Sequence, residues 1–202
     1  MRVPNDGNCL YYAIDLLVHS GEVLPDASPR LRQLAAAAIA SASYPEEVLG
    51  AAPEAYTAAL LKDTTYGGEL ELTILSAQLG LGLCVVDLTP RPPHPASLRV
   101  YNSNAPRRAF LVYTGTHYDA LRRGGVGGGH VLEGSPESLE AHGAAALALG
   151  ERLRAAGEGA PKAVKLVRCC GCQAVMDETL FGAHAAQVEH GEDFDFMCEA
   201  VV

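Results

Sequence analysis

No run in this 202-residue chain approaches 18 strongly apolar residues, and the longest charge-free stretches are rich in Ala and Ser or broken by Gly and Pro. A transmembrane span is therefore not expected, and neither is a membrane partner. Nor does an apolar segment follow Met1: Pro4, Asn5, Asp6, Gly7 and Asn8 are turn chemistry where a secretory leader would need hydrocarbon, so the chain reads as intracellular, in the cytoplasm. Positive charge is scarce. Fifteen Lys and Arg stand against 24 Asp and Glu, a net charge of −9, divided 8 against 12 up to Leu121 and 7 against 12 beyond it. Neither half is a general binder of nucleic acid or other polyanions. Six cysteines are too few for a disulfide scaffold, and no internal repeat recurs at a fixed period.

What is present suits a folded core: 49% hydrophobic and 19% charged residues argue against disorder over most of the chain. At roughly 150 residues per domain the length predicts one full-sized domain with an appendage. The cysteines are unevenly placed. Cys9 and Cys84 stand alone, while Cys169, Cys170, Cys172 and Cys198 crowd the C-terminus, and clustering in a reducing compartment points to metal more than to disulfides.

After the turn at Pro4 to Asn8, Leu10, Ile14 and Leu17 recur at helical spacing as far as Gly21, which puts Cys9 at a helix N-terminus. Ser28 followed by Pro29 reads as an N-cap with proline at the first helical position. Further helices are predicted over 53–61 and around Leu72, Leu75 and Leu79. Strand-like runs follow at 83–88, 98–101, 109–113 and 117–121. Helices first and strands after is an α+β or three-layer pattern. The run from Arg122 to His130 carries too many glycines for a packed element and reads as a linker or exposed loop. Ser135, with Pro136 and Glu137, caps another helix as far as Gly157.

A helix N-terminus favours a thiolate, and its free backbone N–H groups can receive an oxyanion, so Cys9 is placed for nucleophilic chemistry. A lone cysteine is more often an inert core residue. The weight changes at His117 and Asp119, which strand alternation points to one face: Asp119 can accept from one imidazole nitrogen while the other faces a thiolate. That is the nucleophile, base and orienter arrangement of acyl transfer.

Asp6-Gly7-Asn8-Cys9-Leu10-Tyr11, then Tyr66-Gly67-Gly68-Glu69-Leu70-Glu71 leading into Ile74-Leu75-Ser76 and Cys84-Val85-Val86-Asp87, then Gly115-Thr116-His117-Tyr118-Asp119, resemble in order the blocks of the ovarian-tumour (OTU) family of cysteine proteases. The resemblance implies a papain-like fold with a central, mainly antiparallel sheet flanked by helices. It also implies deubiquitinase activity, with ubiquitin and polyubiquitin chains as partners, Cys9 as nucleophile and His117 as general base. Asp6 matches the family's acidic residue in the Cys loop. Physically, Asp119 is the better placed to orient His117, and Asp6 is expected to shape the oxyanion loop. Gly67-Gly68 and Gly115-Thr116 are candidates to leave room for the ubiquitin tail. Tyr66 stands where relatives often carry tryptophan, a difference expected to bear on packing.

In the tail, Cys169-Cys170-Gly171-Cys172 contains C-x2-C, followed after 11 residues by His184 and after five more by His190. Zinc takes four soft or borderline ligands at tetrahedral corners, and Cys169, Cys172, His184 and His190 supply them, with Cys170 and Cys198 as thiols that can replace a ligand. Asp177 can cap a helix through Leu180, Phe181 and His184. A subgroup of the OTU family similarly carries a helix and then one such finger, which implies a structural Zn2+. The segment 178–189 has no Lys or Arg, so a protein contact suits the finger better than DNA.

The expected organisation is a catalytic domain at 1–121, a Gly-rich linker and connecting helix at 122–164 and a zinc finger at 165–202. Relatives in that subgroup serve endoplasmic-reticulum-associated degradation beside a hexameric AAA unfoldase. They dock through a ubiquitin-like N-terminal module, and this chain is read as starting four residues before the Cys loop without it. The rival reading is a catalytically silent ubiquitin-binding module whose finger supplies the affinity.

Overall fold

The computed structural model describes residues 1–42, 44–90, 94–124 and 129–159, together with the backbone of three strands at 166–169, 175–177 and 198–200. The chain divides into two compact units, Met1–Ala160 and Pro161–Val202.

In the first unit, helices α1 (Cys9–Val18), α2 (Ala27–Ala42), α3 (Glu46–Leu49), α4 (Pro53–Leu60) and α5 (Glu69–Gln78) precede strands β1 (Gly82–Asp87), β2 (Ser97–Tyr101), β3 (Arg107–Tyr113), β4 (Tyr118–Leu121) and β5 (Val131–Glu133), and helix α6 (Pro136–Ala155) closes it. The sheet runs β2-β1-β3-β4. β1 pairs with β3 in parallel; the β1–β2, β3–β4 and β3–β5 pairs are antiparallel. β4 and β5 share one edge of β3, since β4 faces Phe110 to Tyr113 and β5 faces Arg107 to Ala109. The α+β architecture and the mainly antiparallel sheet agree with the sequence reading.

Side-chain alternation along the strands assigns the two faces of the sheet. Leu83, Val85, Ala109 and Leu111 join Leu10, Ile14 and Leu17 of α1, Leu31 and Ile39 of α2 and Leu72 and Leu75 of α5 in the larger core. Val86 and Val112 point the other way and gather Leu98, Leu121 and, from α6, Ala146, Leu147 and Leu153. Burying each such Leu or Val contributes about 1.5–3 kcal/mol, so both faces are strongly held. Within the span expected as a Gly-rich linker and connecting helix, 131–133 forms strand β5 and the expected helix, α6, covers the second face of the sheet.

Local signals and outcomes agree at both ends of the unit. α1 starts at Cys9 as its pattern predicts, and α6 starts at Pro136 with the Ser138 N–H donating to the Ser135 hydroxyl at 3.3 Å. Ser28 differs. α2 begins at Ala27, and the buried Ser28 hydroxyl donates 2.6 Å to Asn8 Oδ1, because a tertiary acceptor outcompetes the cap. Strands β5 and helix α3 carried too little periodic sequence to be read; three-residue β5 exists through its pairing with β3.

The second unit shows a three-stranded antiparallel sheet in the order β7-β6-β8, with β6 at Leu166–Cys169, β7 at Val175–Asp177 and β8 at Cys198–Ala200. The helix expected through Leu180 and His184 lies outside the described residues. No helix among the described residues is long and apolar enough to cross a membrane.

Candidate active site

Cys9 is the first residue of α1 and is 2% exposed. The loop before it is held by Asp6, whose carboxylate accepts from the Asn8 N–H at 2.8 Å and whose carbonyl accepts from the Cys9 N–H at 3.3 Å. The loop is compact because residue 7 is glycine: a Cβ there would lie 2.6 Å from the Asp63 carbonyl oxygen, inside contact distance with backbone.

Burial pushes the Cys9 thiol above its ordinary pKa; backbone N–H groups of Tyr118 and Leu10 pull it down, and the charges of Asp6 and Asp119 push it up again. The helix-terminus argument predicts a lowered value, and the structure reverses the sign because desolvation in a closed site outweighs the amide field. Cys9 thus rests as a thiol that needs a base to take its proton.

His117 immediately precedes β4, not inside it as the sequence reading had it. Its carbonyl accepts the Thr114 N–H at 3.0 Å and closes the turn into the strand. The imidazole is 7% exposed, and Nε2 lies 3.0 Å from Asp119 Oδ1. Its Nδ1 is buried with no hydrogen-bond partner. Asp119, itself 4% exposed, also accepts the Val3 N–H at 2.9 Å, and Arg2 stands 3.5 Å from its other oxygen. Between the two, Tyr118 stacks its ring on Tyr113 at 4.5 Å, while the Tyr113 hydroxyl donates to the Gly115 carbonyl at 2.6 Å. The packing of α1 on β4 brings buried Cys9 within reach of the charge of buried Asp119, with half-buried Asp6 in the loop before it.

Gly67, one of the glycines expected to leave room for the ubiquitin tail, is crowded by α1. A Cβ on Gly67 would lie 2.7 Å from Leu10 Cδ2 and 3.0 Å from the Tyr11 hydroxyl, so its missing side chain makes room for α1 and not for an incoming peptide. Tyr66, expected to matter for packing, is 61% exposed. Cys84 is fully buried in β1, and burial pushes its thiol up to about 11, which makes it an inert core residue at neutral pH.

Of the expected zinc ligands, Cys172, His184 and His190 lie outside the described residues, as does the spare thiol Cys170. Cys169 ends β6, opposite Cys198 in the register of β8. Among the described residues no group of three or more His, Cys, Asp or Glu is placed to hold a metal.

No protein-family model matches the chain. It is 36% identical over 124 residues to rat ubiquitin thioesterase OTU1, covering 60% of this chain and 35% of that protein. It is 35% identical over 124 residues to the human protein of that name. An Arabidopsis ovarian tumor domain-containing deubiquitinating enzyme 2 is 36% identical over 122 residues, 59% of this chain and 55% of that protein. The chain thus spans about a third to a half of the length of these curated relatives. A solved OTU domain in complex with ubiquitin shares the fold, with a TM-score of 0.64 at 23% identity over 78% of this chain and 87% of that one. The OTU domain of OTUD1 aligns with a TM-score of 0.52 at 21% identity, covering 59% of this chain and 82% of that one.

Proposed function

We propose that the chain is an OTU-type cysteine deubiquitinase acting at the ubiquitin C-terminus. The observation that carries the reading is a buried thiol opening α1, a helix packed on β4, together with an imidazole immediately before β4 whose Nε2 is anchored on Asp119 and whose Nδ1 has no partner.

His117 Nδ1 takes the thiol proton as Cys9 attacks the carbonyl of the terminal glycine of ubiquitin. The imidazolium, stabilised by Asp119, then protonates the leaving lysine amine. Water, deprotonated by His117, hydrolyses the thioester and releases Cys9. Backbone N–H groups between Gly7 and Cys9 hold the oxyanion. At rest the Asp6 carboxylate occupies that of Asn8, so the substrate oxygen displaces this carboxylate as it enters.

Structural zinc in the tail is part of the proposal. Two thiolates and two imidazoles at Cys169, Cys172, His184 and His190 are a donor set suited to that ion. A cytosolic role in endoplasmic-reticulum-associated degradation beside an AAA unfoldase is supported by the family resemblance alone.

The deciding experiment is covalent capture: wild-type protein incubated with a ubiquitin C-terminal electrophile is expected to form one adduct at Cys9, located by peptide mass spectrometry. Binding of ubiquitin without an adduct would favour the silent module and overturn the enzyme reading.

A further inference from the structure

We propose that Arg32 is a positioning residue for the nucleophile loop: its guanidinium holds the Gly7–Asn8 peptide and ties that loop to the segment leading into Tyr66. The proposal rests on the reading of Cys9 as nucleophile.

Arg32 lies within α2 and is 1% exposed, the largest fully buried side chain among the described residues. A guanidinium brings five N–H donors and no acceptor into the interior, and burying its charge is unfavourable unless the donors are matched. Among the described residues no carboxylate pairs with it. Its partners are neutral oxygens of two loops. From the nucleophile loop it donates to the Gly7 carbonyl at 3.0 Å and Asn8 Oδ1 at 2.8 Å. From the end of α4 and the segment after it, it donates to the carbonyls of Leu60 at 2.7 Å, Asp63 at 3.4 Å and Thr65 at 2.7 Å. Ser28 Oγ receives the Nε–H at 3.0 Å, and the Tyr11 ring lies 4.2 Å from Cζ.

The choice of oxygens carries the inference. A planar trans peptide points its C=O and N–H in opposite directions, so holding the Gly7 carbonyl dictates where the Asn8 N–H points. That N–H now lies on the Asp6 carboxylate, and once released it is already aimed as an oxyanion donor. Cys9 is the next residue. The same guanidinium holds Thr65, the residue before exposed Tyr66, so one buried fork ties the nucleophile loop to the segment that packs against Gly7. Lysine keeps the charge but cannot span two loops.

The test compares wild type with Arg32→Lys and, since that variant removes many bonds at once, with Asn8→Ala, which takes one acceptor from the loop and leaves Arg32 in place. Two readouts are taken below each melting temperature: kcat and KM on a ubiquitin C-terminal fluorogenic substrate, and the pH dependence of iodoacetamide alkylation at Cys9. For Arg32→Lys the expected loss is about 30-fold or more in kcat with KM within about threefold, because small misplacement of a nucleophile falls on the chemical step. The Cys9 alkylation profile should also move to higher pH as the thiol loses its alignment with His117. If Arg32→Lys does not fold, a kcat loss of about tenfold in Asn8→Ala with KM kept supports the proposal. A purely stabilising arginine would lower the melting temperature and leave both readouts unchanged in whichever variant folds, which overturns it. If wild type fails to cleave ubiquitin, the proposed function falls, and the alkylation profiles alone then decide the role of Arg32.

Discussion

The Nε2 atom of His117 lies 3.0 Å from Asp119 Oδ1, and the same ring leaves its Nδ1 buried and unpartnered. A buried polar atom without a partner is disfavoured in a folded protein unless a ligand or a reaction uses it. Helix α1, which Cys9 opens, packs against β4, which His117 immediately precedes, so the free nitrogen and the buried thiol sit on elements in contact.

Cys9→Ala should abolish cleavage of ubiquitin chains and leave ubiquitin binding measurable, since the side chain supplies the nucleophile and little contact area. His117→Ala should be nearly as severe, because groups acting as a unit lose most of the rate individually. Residual turnover in Cys9→Ala above about a tenth of wild type, in a gel-based chain assay, would refute the assignment.

Asp119→Asn should keep the hydrogen-bond geometry and lose the charge that stabilises imidazolium, lowering kcat by about a hundredfold or more with little change in KM. Asp6→Asn retains a side-chain oxygen for the Asn8 N–H, and its effect should stay within about fivefold. An active Asp119→Asn beside an inactive Asp6→Asn, in steady-state kinetics, would reverse the ranking of the two acids.

Cys84 makes a prediction about alkaline stability. Its thiol titrates near 9.0 when exposed and at about 11 in the fold, so the folded state holds the proton more tightly. The resulting stabilisation is complete below about pH 9 and is lost as pH rises through about 11, by no more than about 3 kcal/mol. Thermal melts from pH 8 to 11 should therefore show a smaller alkaline fall for Cys84→Val than for wild type. Parallel curves for the two proteins would contradict the assignment.

Zinc is expected at one ion per chain in protein purified without chelator, measured by elemental analysis. Lys165 to Val202 has few large apolar residues, so metal binding must supply much of the tail's folding free energy. Chelation should unfold the tail and spare hydrolysis of a mono-ubiquitin C-terminal substrate, because the candidate catalytic residues all precede Arg122. Absence of stoichiometric zinc would remove the site; loss of mono-ubiquitin hydrolysis on chelation would remove the independence.

Much of the site was legible because its signals are local. Turn chemistry from Pro4 to Asn8 followed by helical spacing determined that Cys9 opens α1, and a two-residue separation near a strand sufficed to pair His117 with Asp119. Ser135 with Pro136 likewise determined the start of α6. Each of these follows from backbone geometry within a few residues, which the order of side chains encodes directly.

Only the tertiary structure decided the rest. Burial, not the helix terminus, sets the direction of the Cys9 pKa; α1 fills the space beside Gly67; a three-residue strand forms because β3 has an open edge. Arg32 shows the limit most plainly. Next to Leu31 it reads as one polar position on an amphipathic helix, yet its partners Gly7, Asn8 and Thr65 lie 24 to 33 residues away. Periodicity tells which face of an element turns inward, but not which distant oxygens wait there, and a buried charge is stabilised only by those oxygens.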